Sequence, residues 1–124
     1  MMQVLMRLSL KLDEYNLPEP DILVLQEELD QYLETEIIPD KDVLLIVEIS
    51  DTTLVADLQI KPYLYAKAGI PEYWVVNLPE RTLIVHRDPT SEGYNSIISL
   101  TPNQEITPLF GKNSLSIAEI FIPA

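Results

Sequence analysis

The sequence contains no cysteine. That absence excludes disulfides and thiolate metal sites, and it fits a reducing compartment. Histidine occurs once, at His86, so no cluster of histidine ligands can form. Positive charge is scarce: 8 Lys and Arg stand against 20 Asp and Glu, a formal net charge of −12. A broad electrostatic grip on nucleic-acid phosphates rests on Lys and Arg, and this chain does not offer one. No apolar run approaches the roughly 18 residues that a membrane span needs. The opening MMQVLMRLSL alternates apolar and polar residues, unlike the basic-then-apolar plan of a signal peptide. Cytoplasm, with no membrane partner, is the default expectation. There is no glycine-rich phosphate loop, no HExxH and no serine-nucleophile motif.

What is present is a core. Hydrophobic residues make up 47% of 124 residues, enough to build one domain over 1–124. Thirteen of the acids lie between Asp13 and Asp51, where Lys41 is the sole base. Such a run reads as a solvated, self-repelling face, and it can also attract divalent cations. The ten prolines punctuate short elements. Met2 to Leu12 alternates and predicts a half-buried strand. Asn16 to Pro20 predicts a turn, Ile22 to Leu25 a central strand, and Gln26 to Tyr32 a short acidic helix or an ordered loop. The run VLLIVEIS, Val43 to Ser50, predicts a strand buried on both faces. Leu54 to Ala68 predicts a helix closed by Gly69, with a kink or late start at Pro62. Tyr73 to Leu78 and Thr82 to Arg87 flank NLPER and predict an antiparallel hairpin, and Tyr94 to Leu100 a further strand. Ser116 and Glu119 fit a capping box that opens a short last helix. The order predicts an α/β or α+β architecture around one mixed sheet.

Three ionisable residues sit where amphipathicity would not place them. Asp21 opens the aliphatic run ILVL, Glu48 interrupts VLLIVEIS, and Lys61 lies on the following helix, four residues after Asp57. A buried carboxylate is costly unless it is paired or protonated. If the two aliphatic runs are neighbouring central strands, Asp21 and Glu48 approach each other at a sheet edge, where their repulsion invites a cation. Mg²⁺ suits hard oxygen ligands. A lysine beside it can orient or deprotonate water, or stabilise charge on a phosphate. The plainer alternatives are a turn or strand-start role for Asp21, a structural salt bridge between Glu48 and Lys61, and a solvent-facing Lys61.

PDILVL, VLLIVEIS and DLQIKPYLYAKAGIPEYWVVNL together closely resemble the Uma2 (DUF820) family of bacterial, especially cyanobacterial, proteins. The block from Lys61 to Leu78 is the most specific, and the resemblance extends to LSIAEIF near the end. The family belongs to the PD-(D/E)XK nuclease superfamily, labelled restriction endonucleases. The resemblance implies a restriction-endonuclease-like mixed central sheet flanked by helices. It implies a Mg²⁺ (or Mn²⁺) site held by Asp21, Glu48 and the Ile49 carbonyl, with DNA as substrate and Lys61 completing the catalytic set. The superfamily's usual lysine falls at Ser50, and Lys61 takes its place from the next helix. Asp57 matches a recurring acid that would orient Lys61. Pro39-Asp40 also spells the motif, but no aliphatic run follows it directly. The family's N-terminal helix and first hairpin have no counterpart before the Pro20-Asp21 strand, so the expected fold is truncated at its N-terminus. Family members form homodimers, and the same is expected here.

Two functions follow as expectations. One is a metal-dependent endonuclease acting on DNA phosphodiesters. The other is a catalytically inactive nuclease-fold remnant serving as a dimerisation or binding module. His86 reads as a surface strand residue. Tyr63, Tyr65, Tyr73 and Trp74 read as core or dimer packing more than as base-stacking platforms, since no basic residues interleave them.

Overall fold

A computed structural model describes residues 3–5, 9–11, 20–26, 37–52 and 54–121. Its main feature is a six-stranded mixed sheet. In chain order the strands are β1 (Gln3–Leu5), β2 (Ser9–Lys11), β3 (Ile22–Leu25), β4 (Ile37–Pro39), β5 (Val43–Ser50), β6 (Glu72–Asn77), β7 (Thr82–Thr90), β8 (Gly93–Leu100), β9 (Glu105–Ile106) and β10 (Leu115–Ser116). The large sheet runs β1-β3-β5-β6-β7-β8, while β2 pairs with β4 and β9 with β10. Only β5 and β6 are parallel within the large sheet, and the helical segment between them makes the crossover that parallel neighbours require.

Alternation along the strands builds two cores. Ile46, Tyr73, Val75 and Ile84 face one side, with Tyr65, Ala66 and Ile70 packed over them. Leu45, Val47, Trp74, Val76 and Val85 face the other, covered by Ile106, Ile117 and Phe121. Each fully buried Leu or Ile in these layers contributes about 1.5–3 kcal/mol relative to exposure. VLLIVEIS is thus buried on both faces, as its composition predicts. The mixed sheet with helical cover matches the expected α+β class.

The helix expected from Leu54 to Ala68 is present, but its first turns are wide. Ala56–Ile60 forms a π-helical turn, and the Lys61 N–H donates to the Ala56 carbonyl. Helix α1 (Lys61–Lys67) then continues with Pro62 in its first turn. Proline has no N–H, and its ring crowds the carbonyl four residues back. The wide turn ends at Lys61, so Pro62 falls where a missing donor does least harm. At the other end Gly69, at φ 81°, closes a Schellman motif. Its N–H reaches the Ala66 carbonyl, and the Ile70 N–H reaches Tyr65.

Other expectations are adjusted. The strand predicted over Met2–Leu12 is described as two short strands that pair in different sheets, because alternation fixes a face but not a partner. The segment Gln26 to Tyr32 lies almost wholly outside the described residues, as does most of the turn before Pro20. The last helix α2 (Ile117–Ile120) is present, but Ser116 makes no side-chain capping bond. The Ile117 N–H is taken by the Gln104 carbonyl instead. His86 is not on the surface: it is 1% exposed. Its ring lies 5.0 Å from Tyr73 and 5.6 Å from Tyr94, with Nδ1 3.1 Å from the Tyr73 carbonyl. Burial lowers its pKa from the ordinary value.

Candidate active site

The candidate site forms where β3 and β5 part. Ile22 pairs with Val47, so Asp21 stands level with Glu48. Pro20, just before it, cannot donate to a continuing ladder. The ladder ends in side-chain bonds instead. The Asp21 N–H donates to Glu48 Oε1 at 3.1 Å, and the Ile49 N–H donates to Asp21 Oδ2 at 2.7 Å. Asp21 therefore caps the strand pair, the arrangement its strand-start reading describes, and its N–H is hydrogen-bonded to the Glu48 side chain.

Glu48 shares a face of β5 with Ile46 and points beneath α1. It is 3% exposed. Lys61 Nζ donates to Glu48 Oε2 at 2.7 Å and lies 2.9 Å from Asp57 Oδ1. The Tyr65 hydroxyl donates to the same Glu48 oxygen at 3.3 Å. Asp57 is itself buried, and its backbone carbonyl accepts the Tyr73 hydroxyl at 2.8 Å. The salt bridge between Glu48 and Lys61, considered from sequence, is present, and Asp57 joins it.

Burial pushes the Glu48 carboxyl up from its ordinary value, against the pull of the bonded Lys61 ammonium. For Lys61, burial acts to lower the pKa, but hydrogen bonds and charge from Glu48 and Asp57 outweigh it and hold the ammonium above its ordinary value. Burial, then the charge of Glu48, push the Tyr65 hydroxyl up, so it stays a donor.

Among the described residues no three His, Cys, Asp or Glu side chains are grouped to hold a metal. Apart from the Asp57 carboxylate beside Lys61, the oxygens at the parted strand ends are those of Asp21, Glu48 and one backbone carbonyl. The Ser50 carbonyl accepts Leu78 N–H on the β6 side, while the Ile49 N–H faces Asp21. Strand alternation therefore turns the Ile49 carbonyl toward the β3 side, beyond its last pair. A hard, all-oxygen set of this kind suits a hard divalent cation. Ser50 is buried, and its hydroxyl has no hydrogen-bond partner among the described residues.

Trp74, Tyr73 and Tyr65 are buried in packing, and Tyr63 is 49% exposed. A cavity of about 330 Å³ on the opposite face, between Val47, Trp74, Val76 and Ile120, is apolar and separate from Glu48.

A third buried carboxylate, on β6, belongs to a separate cluster. Glu72 accepts Arg87 Nε and Nη2 at 2.9 and 2.8 Å, Trp74 Nε1 at 2.8 Å and the Leu109 N–H at 3.0 Å. The signal was available: counting outward from the NLPER turn sets Glu72 opposite Arg87.

The sequence model of the Uma2 family, described as "Putative restriction endonuclease", matches residues 2–118. A solved structure from Anabaena variabilis ATCC 29413, "a putative nuclease belonging to DUF820", is similar with a TM-score of 0.67 at 21% identity. The similarity covers 97% of this chain and 68% of that one. No curated protein matches the chain. Among the described residues no helix is long and apolar enough to cross a membrane. The chain belongs to the Uma2 family.

Proposed function

We propose that this chain is a metal-dependent endonuclease hydrolysing DNA phosphodiester bonds, with Asp21, Glu48 and the Ile49 carbonyl as ligands of Mg²⁺ or Mn²⁺. The observation that carries the reading is the meeting of Asp21, Glu48 and Lys61 at one end of the sheet. A cation held by Asp21, Glu48 and the Ile49 carbonyl would supply Lewis acidity toward a phosphoryl oxygen. Lys61, charged between two carboxylates, is suited to stabilise negative charge developing on the phosphate; its raised pKa opposes use as a base at neutral pH. Asp57 orients Lys61, and Tyr65 orients Glu48. In the reaction a water oxygen bonds to phosphorus, a P–O ester bond breaks, and the leaving oxygen takes a proton. Nicking of plasmid and cleavage of single-stranded DNA with Mg²⁺ or Mn²⁺ test this. Cleavage that survives chelator, or survives Glu48→Ala, rules it out.

The second reading, an inactive binding module, is favoured by one observation: the 2.7 Å ion pair already balances Glu48. It predicts that calorimetry finds no divalent-cation site dependent on Asp21.

We also propose that the protein works as a homodimer in the cytoplasm, a compartment its lack of cysteine suits. Strand β8 ends the sheet, and Asn95 to Ser99 are all exposed, with Ile97 at 58% and Ile98 at 44%. Gly93–Leu100 carries no charge in a chain of net −12. A long uncharged edge strand is a template for another strand. Antiparallel pairing about a two-fold axis would satisfy both copies alike. Salt, by screening the acidic surfaces, should strengthen that association. Sedimentation of wild type and Ile97→Lys is the check, and a wild type that stays monomeric as salt is raised defeats the idea.

A further inference from the structure

Both oxygens of Glu48 are engaged. Oε1 takes the Asp21 N–H, and Oε2 takes the Lys61 ammonium and the Tyr65 hydroxyl. A cation held by Asp21, Glu48 and Ile49 must therefore share Glu48 with an ammonium 2.7 Å away. Two cations on one carboxylate repel each other. The ammonium, however, has a second seat. Asp57 Oδ1 lies 2.9 Å from the same nitrogen, and the Asp57 backbone carbonyl is fastened by the Tyr73 hydroxyl. The two carboxylates are buried, at 4% and 1% side-chain exposure, while the Lys61 side chain is 32% exposed on a flexible four-carbon stem. The member of the trio that can move is the lysine.

We infer that Lys61 is a displaceable counter-ion: it occupies Glu48 while no divalent cation is bound and withdraws onto Asp57 when one arrives. The inference rests on the reading of Asp21 and Glu48 as cation ligands. Asp57 is then a positioning residue that keeps the displaced ammonium paired, so that no buried charge is stranded. The same exchange favours divalent over monovalent cations, because only the higher charge competes well with an ammonium already in contact. Linked competition of this kind is worth about 5- to 150-fold in affinity.

Three measurements test it. Calorimetric titration with MgCl₂ at mildly alkaline pH should show Lys61→Met binding about tenfold more tightly than wild type, and Asp21→Asn not binding. The thermal midpoint of Lys61→Met should fall in chelator and recover in excess Mg²⁺, with a larger gain than wild type shows. In wild type, Mg²⁺ should speed acylation of Lys61 by acetic anhydride several-fold relative to the exposed Lys67 and Lys112, read by mass spectrometry. This last arm needs no variant to fold. If neither wild type nor Lys61→Met binds Mg²⁺, the cation-site reading fails and takes the inference with it. If wild type binds through Asp21, but Lys61→Met binds no tighter and Lys61 acylation is unchanged or slowed, the site stands and the counter-ion role is wrong.

Discussion

Glu48 and Glu72 are both buried carboxylates on neighbouring strands of one sheet, yet they face opposite sides and are treated differently. Glu72 is 0% exposed and accepts two bonds from Arg87, one from Trp74 and one from the Leu109 backbone. Arg87 also donates to the Thr107 carbonyl, so the network ties the 107–109 loop to the hairpin. Glu48 has a single lysine, shared with Asp57, one backbone N–H from Asp21 and a long tyrosine bond. Beside it lies Ser50, whose buried hydroxyl has no partner among the described residues. A carboxylate held by a rigid guanidinium fork is suited to structure. One held by a mobile ammonium can exchange its partner.

The largest expected effect comes from breaking the fixed network. Arg87→Met strands a fully buried carboxylate and should cost roughly 3 kcal/mol or more, read as a lower urea midpoint, with no recovery in Mg²⁺. Recovery in Mg²⁺ would erase the contrast with Glu48.

The paired substitutions to glutamine come next. Glu72→Gln should cost about 2 kcal/mol, because three donors lose a charged acceptor, and should leave divalent-cation binding intact. Glu48→Gln should cost about 1 kcal/mol or less in chelator, since burial already opposes that charge, yet should abolish cation binding. Equal stability losses with unaltered cation binding in both would make Glu48 as structural as Glu72.

How much of this contrast was legible follows from what pattern can encode. Glu48 announced itself, because a lone acid in VLLIVEIS has no amphipathic excuse. The hairpin was equally plain, yet Glu72 hid at the mouth of its strand, where an acid looks like part of the PEYW turn. Only the register count to Arg87 reveals the pair. The helix was readable from its apolar spacing and from Gly69, but the π turn was not. Its extra residue depends on how Pro62, the Asp57 carbonyl and the Tyr73 hydroxyl settle together. His86 was misplaced because a lone histidine with no partner histidine, followed by Arg and Asp, looks like a surface residue, whereas β7 is flanked by β6 and β8 and this side of it is covered.

His86 supplies a pH test confined to the Glu48 side, where it packs on Tyr73. Burial depresses its folded pKa, so on acidification the unfolded chain takes a proton first, near the ordinary 6.5, and the folded chain only at lower pH. The unfolded state binds more protons in that window, and stability must fall as pH falls. The contribution is fully present above about 6.5. Thermal midpoints measured downward from neutrality should decline for wild type and decline less for His86→Gln. Parallel slopes would place the acid sensitivity in other groups.

The smallest effect is the most pointed. Ser50 is 0% exposed, and among the described residues its hydroxyl carries the cost of desolvation without a bond in return. In a purely structural cluster such as that of Glu72, removing a polar group destabilises, because each one has a partner. At Ser50 the sign should reverse. Ser50→Ala removes an unmet hydroxyl and only one heavy atom of packing, so stability should rise by about 0.5–1 kcal/mol. The urea midpoint should move up with an unchanged slope. A loss of stability instead would mean that the hydroxyl is satisfied in solution, by water or by a neighbour that shifts, and that the Glu48 side is as fully bonded as the Glu72 side.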